Sequence, residues 1–181
     1  MAHVIETAAT GRAKCRGCGE KIPAAALRFG ERLPNPFAEG ETTQWYHLDC
    51  GAFKRPEPFL EALAGRGEPV DDRERLESEA NRGLAHRRLP RIDGAERAST
   101  GRAQCRSCRE PIAKDEWRIK LVFYEEGRFT PAGYVHIRCV PAYFETADVV
   151  PRVKRFAPQL REEDLAEIQR ELAAAPRPPA A

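Results

Sequence analysis

The sequence predicts an α+β chain made of two small α+β units joined by a partly helical linker. Three observations predict it. Between Thr10 and Arg28, 10 of 19 positions recur identically at an offset of 90, among them Glu20/Glu110, Ile22/Ile112 and Arg28/Arg118. Self-similarity of this kind marks a duplicated domain. The six cysteines fall into two groups, Cys15, Cys18, Cys50 and Cys105, Cys108, Cys139, each with one histidine at the same relative place, His47 and His136. Finally, each copy carries two short runs rich in β-branched and aromatic residues, then a short apolar stretch of helical character.

Taken in chain order, Leu27-Arg28-Phe29-Gly30 and Gln44-Trp45-Tyr46 read as the two strands of a hairpin in the first copy. Gly51-Ala52-Phe53 reads as a short helix packing on it. A helix is expected from Asp71, with Leu76, Ala80 and Leu84 on one face and acids at its start, ending before Pro90. In the second copy Trp117 to Tyr124 reads as a strand, Glu125-Glu126-Gly127 as a turn, and Gly133-Tyr134-Val135 as the return strand. Val140 to Phe144 reads as a short helix, and Gln159 to Leu172 as a final one with Leu165, Ile168 and Leu172 on one side. The expected limits are 1–63 for the first unit, 64–95 for the linker, 96–172 for the second unit and 173–181 for a Pro/Ala-rich disordered tail.

Composition bounds the function. The chain has 181 residues, 41% hydrophobic and 32% charged, with 15 Pro and 13 Gly, which argues against one large core. No apolar run approaches the roughly 18 residues of a membrane span, so no membrane partner is expected. Met1-Ala2-His3-Val4-Ile5-Glu6 has no basic start followed by an apolar stretch, so a secretory signal is not expected. Thirty Lys and Arg against 28 Asp and Glu leave a formal charge of +2, which by itself names no partner.

The cysteines carry the chemistry. Each copy reads Cys-x2-Cys, a gap of 28 or 27 residues, then His-x2-Cys. Three cysteines per copy fit a disulfide framework poorly, and a redox Cys-x-x-Cys leaves the repeated His-x2-Cys unexplained. Zn2+ explains all eight residues: Cys15, Cys18, His47, Cys50 and Cys105, Cys108, His136, Cys139 form two closed Cys3His shells. A closed shell has no position for water, so both ions are expected to be structural. A unit of about 60 residues is of the size that needs such a staple. His3 and His86 lack similar company and read as ordinary surface residues.

The flanking residues then carry a family resemblance. Gly11-Arg12-Ala13-x-Cys15-x2-Cys18, Ile22-Pro23, Leu27-Arg28 and Trp45-Tyr46-His47-x2-Cys50 resemble the zinc finger of poly(ADP-ribose) polymerases, also found in a DNA ligase and a DNA 3′-phosphoesterase. The second copy matches through Gly101-Arg102-Ala103-x-Cys105-x2-Cys108, Ile112, Arg118 and His136-x2-Cys139, and departs at Trp117 and at Tyr134-Val135. Nothing in the chain resembles the catalytic domains of those enzymes. The resemblance implies recognition of DNA breaks through backbone phosphates and an exposed base pair. It implies Arg12 and Arg28 as phosphate contacts in the first copy, Arg102 and Arg118 in the second, Phe37 as the stacking residue and Phe129 as its nearest counterpart.

The charge pattern agrees. Gly11 to Arg28 holds five basic residues and one acid, and Gly101 to Lys120 holds six and three, with Arg16 and Arg106 inside the two Cys-x2-Cys turns. The alternative for these clusters is a solvated surface, and for Phe37 a place in its own core. The expected function is zinc-dependent, sequence-independent binding of DNA strand breaks, in repair or damage sensing, with repair proteins as further partners and an intracellular, DNA-associated location. The competing function is a zinc-stabilised protein-interaction or scaffolding module. No Ser/His/Asp set, phosphate-binding glycine loop or open metal site is present, so neither catalysis nor a small-molecule substrate is expected.

Overall fold

A computed structural model describes residues 2–35 and 38–176. The chain divides into two compact units, Met1–Ala85 and His86–Ala181. Each has a three-stranded antiparallel sheet whose second and third strands form the longer hairpin, followed by helices.

In the first unit the sheet runs in the order β1 (Val4–Thr7), β2 (Leu27–Pro34), β3 (Glu41–His47). One face of β2 and β3 presents Phe29 and Tyr46, directly paired and both fully buried. Their rings stand 5.6 Å apart, and Phe59 meets Phe29 edge-on at 5.5 Å. Phe59 comes from α2 (Pro56–Ala64), which follows α1 (Leu48–Lys54). Gly51 on α1 is required by this packing: a Cβ there would lie 2.7 Å from the Phe29 ring and 2.9 Å from that of Phe59. α3 (Arg73–Ala85) closes the unit against α1 and α2, burying Leu76 and Ala80 while Leu84 stays 42% exposed.

The second unit repeats the plan with β4 (Ile92–Arg97), β5 (Trp117–Glu125) and β6 (Arg128–His136), then α4 (Val140–Phe144), α5 (Val150–Phe156) and α6 (Glu162–Ala174). Ile119, Leu121, Val135, Ile137, Phe144 and Ile168 lie in its core. Trp117 stands where the first unit has Leu27. It is buried, its indole N–H donates to Glu167 on α6 at 2.9 Å, and Arg97 lies over the ring. The larger residue thus ties α6 to the sheet.

The two hairpins differ at their tips. In the first, Pro34–Glu41 is the last strand pair, Asn35 N–H donates to the Gly40 carbonyl at 3.0 Å beyond it, and six residues, 35–40, lie between the strands. In the second, Glu125 pairs with Arg128 across a two-residue turn, Glu126-Gly127, with φ of 50° and 75°. Two successive positive φ values identify a type I′ turn, the form matched to strand twist.

The segment 64–95, expected as linker, is divided between the units. α3 packs inside the first, while the 3-10 turn at Leu89–Arg91 buries Leu89 in the core of the second and leads into β4, its edge strand. The repeat therefore starts earlier than Thr10: Glu6 and Ala8 align with Glu96 and Ala98 at the same offset. At the other end, α6 runs to Ala174 and Ala175 is buried, so the first residues of the expected tail are ordered; residues 177–181 lie outside the described ones. Among the described residues no helix is long and apolar enough to cross a membrane.

Candidate metal centres

Each Cys-x2-Cys is a tight turn between two bridged residues, Lys14 with Lys21 and Gln104 with Pro111. Backbone bonds from Cys15 N to Glu20 O at 2.8 Å and from Gly19 N to Cys15 O at 2.8 Å close the first turn. Cys105 N to Glu110 O at 2.9 Å and Arg109 N to Cys105 O at 3.0 Å close the second. Ile22 and Ile112, fully buried just after each turn, anchor it to the core. The second half of each shell comes from the end of the hairpin, where His47 ends β3 and His136 ends β6. Cys50 sits on α1, and Cys139 ends the 3-10 turn that precedes α4.

The four donor atoms of each set lie within 4.8 Å of one another. Cys18 Sγ is 3.4 Å from His47 Nδ1; Cys108 Sγ and Cys139 Sγ are 3.4 and 3.8 Å from His136 Nδ1. A tetrahedral zinc with its usual bond lengths sets that edge at about 3.6 Å. All six cysteines are free of disulfides. The histidine tautomer is fixed from outside the shell. His47 Nε2–H donates to the Lys21 carbonyl at 3.2 Å, and His136 Nε2–H to the Pro111 carbonyl at 3.1 Å. A carbonyl only accepts, so the Nδ1 lone pair is left for the metal. Backbone N–H groups of His47 and His136 point at Cys15 and Cys105 Sγ, each at 3.4 Å.

Left to themselves these donors hold protons against one another. The neighbouring Cys15 and Cys18 sulfurs lift His47 to about 10. Burial, reinforced by the Cys105 charge, pushes Cys139 up to about 12. Hydrogen bonds from Cys15 and Cys50 instead pull Cys18 far below the thiol range. A divalent cation resolves the conflict, because it rewards every deprotonated donor at once. The chain binds two Zn2+ ions in these two Cys3His shells, and both are structural.

Beside each shell lies a feature that the sequence did not suggest. Arg28 on β2 is paired across the hairpin with the ligand His47, and Arg118 on β5 with the ligand His136. Glu6 Oε1 accepts from Arg28 Nε at 3.2 Å and Nη2 at 2.5 Å; Glu96 Oε1 accepts from Arg118 Nε at 3.2 Å and Nη2 at 2.6 Å. The Arg28 guanidinium lies 3.5 Å from the Trp45 ring centroid, and that of Arg118 lies 3.5 Å from Tyr134's. The Arg28 and Arg118 side chains are only 12% and 6% exposed. Tyr134 thus takes the place of Trp45. The larger indole needs Gly30 beneath it, where a Cβ would lie 2.6 Å from the ring; Lys120 occupies that position beside the smaller Tyr134. The signal available in sequence was the identity of Glu6 and Glu96 at the repeat offset.

The remaining arginines fall into two groups. Arg12, Arg16 and Arg102 are exposed and make no side-chain hydrogen bond or ion pair among the described residues. Arg106 is held: its Nε donates at 2.8 Å to the carbonyl of Ala132, which bulges out of β6. Phe129 lies on β6, half-buried, with its ring 4.8 Å from that of Tyr124, rather than in an open loop. Phe37 lies outside the described residues. His3 is a clasp for β1: its Nδ1 accepts from Arg32 N–H at 3.2 Å, and its Nε2 faces Glu61 at 3.6 Å.

The chain is similar to known proteins over this same machinery. Residues 6–86 match the family described as "Poly(ADP-ribose) polymerase and DNA-Ligase Zn-finger region". A poly [ADP-ribose] polymerase of Sarcophaga peregrina is 29% identical over 157 residues, covering 75% of this chain and 16% of that protein. The poly [ADP-ribose] polymerase 1 of Gallus gallus is 26% identical over 139 residues, covering 67% of the chain and 14% of the relative. A polynucleotide 3′-phosphatase of Arabidopsis thaliana is 23% identical over 176 residues, covering 83% and 25%. The chain therefore spans a quarter or less of each of these relatives. Through residues 6–86 the chain is similar to the poly(ADP-ribose) polymerase and DNA-ligase zinc-finger region, and its second unit repeats the strand order, the ligand set and the stacked arginine of the first.

Proposed function

We propose that the chain binds DNA without sequence preference and recognises strand breaks, as part of repair or damage sensing. The observation that carries this reading is the set of arginines around the two zinc centres. Arg12, Arg16 and Arg102 are exposed and unpaired, and Arg28 and Arg118 each keep Nη1 without a partner among the described residues. Each zinc with three thiolates contributes a charge of −1, so the loaded chain is close to neutral and attraction must come from such local clusters. Phosphate contacts supply affinity that falls with salt and carries no sequence information.

A break differs from intact duplex because it bends cheaply and exposes the face of a base pair. Stacking on that face is worth about 1–3 kcal/mol per base. The loop over 35–40 in the first unit carries Phe37 as the proposed stacking residue, and Phe129 at the tip of the second hairpin is its proposed counterpart. Two fingers on one chain add effective concentration, so both sides of one break are held together. The zinc shells are closed, which suits a binding protein rather than a catalyst.

The test is fluorescence anisotropy on one duplex, nicked and intact, across several salt concentrations. About tenfold tighter binding to the nicked form is expected, consistent with one stacked base. Equal affinity for the two forms overturns break recognition, and no binding to either overturns the DNA reading.

A second reading rests on the differences between the fingers. The second lacks the six-residue loop, has Phe129 packed on Tyr124, and has Arg106 tied to a carbonyl. These differences favour a role for that finger in docking a protein, with DNA contact left to the first. Salt-insensitive protein binding by a chain without DNA affinity marks the scaffolding alternative.

A further inference from the structure

We infer that Glu6 and Glu96 are positioning residues, each fixing a phosphate-contact arginine through a single carboxylate oxygen; the inference rests on the DNA-binding reading above. In both fingers one oxygen, Oε1, receives both Nε–H and Nη2–H, and the guanidinium is pressed on an aromatic ring at the same 3.5 Å. A guanidinium offers five N–H groups in a rigid plane. With Nε and Nη2 taken and one side covered, what remains is the Nη1 edge. Nη1 has no partner among the described residues of either finger, and it is absent from the buried unsatisfied atoms. The arginine is thereby held with one edge available for one further acceptor, such as a phosphate oxygen. The entropy of placing a long side chain is lost on folding rather than on binding.

The arrangement is built twice on different aromatics. Glu6 and Glu96 come from the edge strands β1 and β4 and reach across to β2 and β5, where the register sets Glu6 opposite Arg28 and Glu96 opposite Arg118. Trp45 in one finger is Tyr134 in the other, yet the carboxylate, the shared oxygen and the stack persist. A carboxylate beside a phosphate-binding arginine is unfavourable on charge alone, since it repels the ligand. Its recurrence therefore points to geometry rather than charge as its contribution.

That contrast sets the sign of the test. On charge alone Glu6→Ala raises net charge by one and tightens DNA binding. Positioning predicts the reverse: Glu6→Ala with Glu96→Ala weakens binding to nicked duplex about tenfold, the scale of lost charge-assisted hydrogen bonding. Glu6→Gln with Glu96→Gln keeps an acceptor oxygen and removes the repulsion, so it is expected to bind at least as tightly as the parent. Zinc content of two per chain, checked in each variant, confirms that the fingers are folded. Weakening in the Ala pair with retention in the Gln pair supports the inference. Parent-like or tighter binding by a zinc-loaded Ala pair overturns it, as does equal weakening in both pairs. A parent chain that binds no DNA is a separate result: it rejects the DNA reading and the inference with it.

Discussion

Arg16 and Arg106 occupy one position of the repeat and meet different fates, because Ala132 bulges from β6 and offers its carbonyl to the second. Arg12 is exposed and has no side-chain partner among the described residues, so Arg12→Ala is expected to lower the salt slope of the proposed DNA binding by about 0.9, one phosphate contact, with zinc content unchanged. A slope identical to the parent's at several salt concentrations would make Arg12 a surface residue. The zinc shells make a second prediction at this scale. Zinc takes its four donors deprotonated, three as thiolates and His47 or His136 through a bare Nδ1, so the thiol protons must leave as the metal enters. Protons thus compete with zinc, and zinc affinity falls as pH falls. Calorimetry in buffers of different ionisation enthalpy is expected to report net proton release at pH 7, and its absence would contradict this account of the shell. All eight donors were legible in sequence, since spacing and repetition encode a metal shell directly. The partners of Arg28 and Arg118 were not, because Glu6 and Glu96 lie 22 residues away and join them only through strand pairing.

Among the elements, β2 and β5 show one position solved in two ways. Glu31 is buried on the core side of β2 and takes a bidentate ion pair from Arg55, with Nε–Oε2 at 2.8 Å and Nη2–Oε1 at 2.5 Å. At the matching positions the second unit has Leu121 and Phe144, both in its apolar core. Removing one partner of a buried pair leaves an uncompensated charge, so Arg55→Ala is expected to cost about 3–5 kcal/mol of stability. Glu31→Leu with Arg55→Phe copies the second unit and is expected to be neutral or stabilising by about 1–4 kcal/mol. Thermal melts decide between them; a double variant as unstable as the single would show that the pair specifies the first unit. The central hairpins and the helices at Val140–Phe144 and Glu162–Ala174 were readable from periodicity. The edge strands were not: β1 has four residues and β4 six, with a register shift between Ile92 and Ala95, too short and irregular for an alternating pattern. For the same reason α3 read as part of a linker, since its packing on α1 and α2 is a tertiary fact.

At the scale of the whole chain, two units of similar plan each enclose a small core pinned by a four-donor shell whose halves come from distant segments. Cys15 and Cys18 sit in a turn, while His47 and Cys50 close the hairpin some thirty residues later. Joining those segments with a metal is worth apparent binding energies of roughly 10–16 kcal/mol, comparable to the whole stability of an ordinary domain. Folding and metal binding are thus one event, on which the proposed DNA binding depends. Native mass spectrometry of the chain purified without chelator tests this most directly. Two zinc ions per chain, lost together with the cooperative thermal transition when a strong chelator is added, is the predicted result. A chain that carries one ion or none, yet melts cooperatively as a folded protein, would contradict it.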